Sequence, residues 1–105
     1  MDAHFIQKLT DLLPDIPDES IVSRKVFSGT GAKVTLFGFA AGEELSEHTA
    51  AFPAILHFLE GEATLTLGDE KMTAVAGSWT YMPAHLPHSI QAKTAVTMLL
   101  YLLTE

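Results

Sequence analysis

Apolar positions along the chain fall into two textures. Phe5, Ile6, Leu9, Leu12 and Leu13 recur at helical spacing, Asp2 stands where a first turn is capped, and Pro14 stops the pattern. One short amphipathic helix is expected there. Asp15-Ile16-Pro17-Asp18-Glu19-Ser20 holds three acids and a proline and reads as a connector, so residues 1–20 form a helix and linker ahead of a main domain at 21–105. From Ile21 the texture changes to short runs of Val, Thr, Phe and Leu punctuated by glycines, the cadence of antiparallel sheet. Ile21 to Phe27 and Lys33 to Ala40 flank a Ser28-Gly29-Thr30-Gly31 hairpin loop. Ala54 to Leu59 and Glu62 to Leu67 meet at Glu60-Gly61, and Lys71 to Val75 follows after Gly68-Asp69. Ser78 to Met82, His88 to Ala92 and Ala95 to Leu103 complete about eight strands. So many short strands in one small domain predict an all-β closed barrel or double-sheet jelly roll.

The last strand departs from strict alternation. Met98, Leu100 and Leu102 share one face, while Leu99, Tyr101 and Leu103 share the other. Both faces need burial: one fills the barrel, and the other must meet the amino-terminal helix or another subunit. A homodimer is expected on this ground, most economically a two-fold one. Phe37 and Phe39 share a strand face, as do Trp79 and Tyr81, and such aromatic pairs are ordinary core residues in most sheets.

At 105 residues the chain is one domain long, and 48% hydrophobic content with 18% charge is globular. Six Lys and Arg against 13 Asp and Glu give a formal charge of −7, which disfavours nucleic acid and anionic membrane surfaces as partners. With no cysteine there are no disulfides, thiolate metal sites or Cys nucleophiles. The start of the chain lacks the basic and apolar segments of a signal peptide, and no apolar run approaches a membrane span, so a cytoplasmic protein is expected. Phosphate-cradling glycine loops, G-x-S-x-G and HExxH are all missing.

Two stretches carry the candidate chemistry. Gly42-Glu43-Glu44-Leu45-Ser46-Glu47-His48 precedes Leu59-Glu60-Gly61, and Gly77-Ser78-Trp79-Thr80-Tyr81-Met82-Pro83-Ala84-His85-Leu86-Pro87-His88 follows. Together they resemble the two motifs of the cupin superfamily, over about two-thirds of the chain from Val34 to near Leu103. The resemblance implies a small single-domain jelly-roll barrel. Cupins that hold a divalent metal use two histidines and a glutamate from the first motif and one histidine from the second. Carried over by position, His48 and His88 are retained, the second histidine falls on Ala50 and the glutamate on Ala54. The final asparagine of the second motif falls on Ala92, and a glycine on His85.

That leaves two of four ligands. A catalytic zinc takes three protein ligands plus water, and non-haem iron uses two histidines with a carboxylate, so the resemblance implies at most a weakly bound divalent transition metal at His48 and His88. His57, three residues from Ala54, points to the opposite face. Glu47 also faces away from His48 in an extended strand, unless a bulge turns it. His85 reads as a turn residue at positive φ, and His4 carries no argument. In the cupin register, Ala50, Ala54, Leu56, Phe58, Ile90 and Ala92 point inward with the two histidines, and Phe52 stands at the mouth.

This composition, apolar walls with two convergent imidazoles, is that of a small-molecule site. The expected function is therefore binding of a small molecule anchored by His48 and His88 without a strong metal site, with no catalytic residue assignable. A metal-dependent cupin enzyme of oxygenase or isomerase type, and a non-catalytic dimerising module, are the competing readings. As one barrel hosts many unrelated functions, the resemblance names no substrate.

Overall fold

A computed structural model describes residues 3–105 of the chain. It contains β1 (Ile21–Gly29), β2 (Ala32–Phe39), β3 (Glu44–His48), β4 (Ala54–Glu60), β5 (Ala63–Leu67), β6 (Glu70–Ala74), β7 (Trp79–Met82), β8 (His88–Ala92) and β9 (Val96–Leu103). Every pairing is antiparallel, and the strands form a five-stranded sheet in the order β1-β2-β9-β4-β7 and a four-stranded sheet in the order β3-β8-β5-β6. This is the expected jelly roll, with one more strand than the hydrophobic pattern predicts. The addition is β3, which lies inside the first motif and has Leu45 as its one apolar residue.

The inner faces of the two sheets enclose the core. Phe39, Leu56, Phe58 and Met98 from the larger sheet meet Leu65 and Ile90 from the smaller one, all almost fully buried. Removing side chains of this size from water contributes about 1.5–3 kcal/mol each. The chain passes between sheets at Gly61. Here the expectation of a β4–β5 hairpin is corrected: β4 pairs with β7 and β9, β5 pairs with β6 and β8, and the link between them crosses from one sheet to the other. Gly61 sits at φ 89°, and a Cβ there would collide with the backbone carbonyl of Ala95, so only glycine fits the crossing.

The outer face of the larger sheet divides in two. Over β2 and β9, Val34, Leu36 and Leu99 are buried beneath Leu9, Leu12 and Leu13. The last strand is thus apolar on both faces because the chain covers its outer face itself. The covering segment is not the helix that its spacing predicts; it contains a single four-residue 3-10 turn, Leu9–Leu12. A helix nucleus is costly in so short a segment, and the leucines gain their burial from the sheet without one. The Asp2 cap lies outside the described residues. Over β4 and β7 the same face stays open: Trp79 is 60% exposed and Tyr81 49%, correcting their expected place in the core. Among the described residues no helix is long and apolar enough to cross a membrane.

Candidate functional site

Adjacent strands of the smaller sheet bring His48 and His88 together. In the β3–β8 ladder Leu45 lies opposite Ile90 and His48 opposite His88, so three steps along β3 match two along β8. The extra residue is a β-bulge at Ser46 and Glu47. Its consequence follows from the two-residue period of a strand: without it Glu47 would share the inner face with Leu45, and His48 would face solvent. The bulge reverses that parity. It turns His48 inward, and Glu47 remains exposed.

The two rings stand 4.2 Å apart between centroids at an interplanar angle of 58°. Each is fixed by the backbone two residues earlier: His48 Nδ1 lies 2.8 Å from the Ser46 carbonyl oxygen, and His88 Nδ1 lies 2.9 Å from that of Leu86. A carbonyl oxygen only accepts, so each Nδ1 carries the proton and donates it. In the neutral rings both Nε2 atoms are then acceptors. Two acceptors cannot bond to each other, and neither Nε2 has a protein partner among the described residues. His88 is buried whereas His48 is exposed. Burial pushes the His88 imidazole below the usual histidine range, and the nearby His48 adds to that shift, against an opposing contribution from the Leu86 carbonyl.

The rings line a cavity of about 60 Å³ whose other walls include Ala50, Phe52, Ala54, Leu100 and Leu102. Volume of this order holds a few waters or the end of a small molecule. Ala50, Ala54 and Phe52 border the mouth. Leu56, Phe58, Ile90 and Ala92 do not; they lie deeper in the closed core, 2% exposed or less. Met82, Pro83 and Leu86 are lining residues that sequence reasoning missed. The signal for Met82 is the register, since Met82 and Leu102 are the two cross-strand neighbours of Ala54.

The other histidines stay outside. His85 takes φ 68° in the turn before β8 and its N–H donates to the Ala50 carbonyl at 2.8 Å, the turn role expected of it. His57 is on the outer face opposite Trp79, and His4 packs its ring against Phe27 at 5.0 Å. Among the described residues no group of three or more His, Cys, Asp or Glu side chains is placed to hold a metal ion. Two imidazoles alone do not complete the three-ligand set that a firmly held catalytic metal requires.

Several solved structures share this architecture. A cupin superfamily protein from Desulfitobacterium hafniense is 29% identical, with a TM-score of 0.85 over 92% of this chain and 88% of that one. A conserved protein of unknown function from Streptococcus pyogenes is 26% identical, with a TM-score of 0.86 over 100% of this chain and 91% of that one. An RmlC-like cupin from Desulfovibrio desulfuricans is 25% identical, with a TM-score of 0.77 over 98% and 96%. No curated protein matches the chain. The cupin domain family model matches residues 35–103, from β2 to the end of β9 and across both histidines. The chain belongs to the cupin family.

Proposed function

We propose that this cupin binds a small molecule at the barrel mouth, with His48 and His88 as its polar anchors. The observation that carries the reading is the pair of imidazoles held 4.2 Å apart with both Nδ1 atoms committed to the backbone. Among the described residues, His48 and His88 carry the only polar side chains of the cavity, and every other lining residue is apolar. Apolar walls with a few convergent polar atoms hold and orient small ligands. A thermal-shift screen at millimolar concentration, repeated on the His48→Ala, His88→Ala double variant, tests it. Stabilisers that lose their effect in the variant support the proposal, and their complete absence would overturn it.

A metal-dependent cupin is the second reading, favoured by one observation. Metal-bound histidines commonly donate their remote ring N–H to a carbonyl or carboxylate, as both do here. The donor set argues against a firm site, because Glu47 is turned outward and alanines stand at the two remaining ligand positions. We therefore assign no step to a metal. Elemental analysis of protein purified without an affinity tag separates the readings: metal at near one equivalent, lost in the double variant, would favour the second.

A further inference from the structure

The chemistry of the mouth constrains its ligand more closely than its size does. Nδ1 of each histidine donates to its own backbone, so among the described residues the cavity offers two imidazole acceptors and no side-chain donor. Neither Lys nor Arg lines it. A carboxylate or phosphate is acceptor-only when ionised and finds no partner here. An ammonium group brings donors, but its charge would be stripped of water against Leu100, Leu102 and Phe52 with no carboxylate among the lining residues. A lone alcohol satisfies one Nε2 and leaves the other without a partner. Two hydroxyls on neighbouring carbons offer one donor to each ring, and the two rings stand only 4.2 Å apart between centroids.

We infer that the ligand is a small uncharged molecule presenting two adjacent hydroxyl donors, a 1,2-diol or catechol, to Nε2 of His48 and His88. The inference rests on the small-molecule reading above and narrows it. At about 60 Å³ the cavity admits the diol end only, and the remainder of the ligand passes Phe52, which is 42% exposed, toward solvent.

Histidine side-chain NMR signals of the full chain, stripped of metal by a chelator, provide the test. Catechol, phenol and benzoate serve as probes matched in ring size and differing in donors. Catechol is expected to shift both His48 and His88 and to bind about 3- to 10-fold more tightly than phenol, the value of one added hydrogen bond. Benzoate is expected to shift neither. In His48→Phe, whose substituted residue is exposed and whose folding a thermal melt verifies, the catechol advantage over phenol should vanish. Equal binding of catechol and phenol would overturn the diol inference and leave the pocket reading standing. Tighter binding of benzoate, lost in His88→Phe, would overturn it likewise. No shift from any probe at millimolar concentration, together with an empty thermal-shift screen, would overturn both.

Discussion

The two ends of β4 open onto cavities of opposite character. At its start, Ala54 borders the histidine mouth, about 60 Å³ in volume. Near its other end, Phe58 and Leu65 floor a cleft of about 300 Å³ between β6 and β7, rimmed by Met72, Trp79, Thr73 and Thr80. The larger void is the poorer in chemistry, because no titratable side chain lines it. Its size comes from topology: β6 and β7 are consecutive but belong to different sheets, so their unpaired edges part. The smaller void owes the pairing of its imidazoles to a single extra residue in β3, which turns His48 toward His88. Volume records how the sheets separate, whereas chemistry records where a strand irregularity aims its side chains.

The largest effect expected lies at neither cavity. Gly61→Ala should cost about 5 kcal/mol or more in chemical denaturation, since a side chain at positive φ would also meet the Ala95 backbone, and the sheet crossing that separates the two ends depends on it. At the seam, Phe58→Ala should cost about 3–5 kcal/mol and enlarge that cleft while ligand contacts at His48 and His88 persist. At the mouth, deleting Glu47 should restore the regular β3–β8 ladder and leave His48 opposite His88, because Leu45, Ser46 and His48 then alternate in step with Ile90, Ser89 and His88. Ligand-induced stabilisation should persist while the far-ultraviolet spectrum stays that of the parent; its loss would show that the bulge does more than set the face His48 occupies.

A smaller effect follows from His88. Its pKa is lowered on folding, so the unfolded chain takes up a proton more readily. Its contribution to stability is fully present above the unfolded value of about 6.5 and is lost as pH falls through the lower folded value. His88→Gln should flatten the decline in denaturation midpoint below about pH 6.5, and an unchanged slope would remove His88 as its cause. Smallest of all, Trp79→Ser should change stability by less than about 0.5 kcal/mol, because the indole is 60% exposed at the rim of the seam.

Much of this architecture is legible in the sequence, for reasons that particular residues make plain. Clean alternation in Ala63–Leu67 and two-sided apolarity in Val96–Leu103 follow from one strand having one open face and the other having both faces covered. Glu44–His48 escapes the pattern because it has one apolar residue and a bulge that breaks the two-residue period. The helix expected from Leu9, Leu12 and Leu13 fails because their periodicity serves contact with a sheet already formed. At the site, the cupin motifs point to His48 and His88 directly. The depth of the mouth is not written in them: Leu56 and Phe58 face inward as expected, yet packing against Met98 and Ile90 closes the barrel above them. Such closure depends on side-chain volumes from three strands at once.

His48 and His88 stand together with both Nδ1–H groups turned to the backbone. A long-range ¹H–¹⁵N correlation spectrum of metal-free protein at pH 7.5 reads each tautomer directly. Nδ1–H is expected for both rings, with both signals moving when catechol is added. Nε2–H on either ring, or rings that respond to no common ligand, would contradict it.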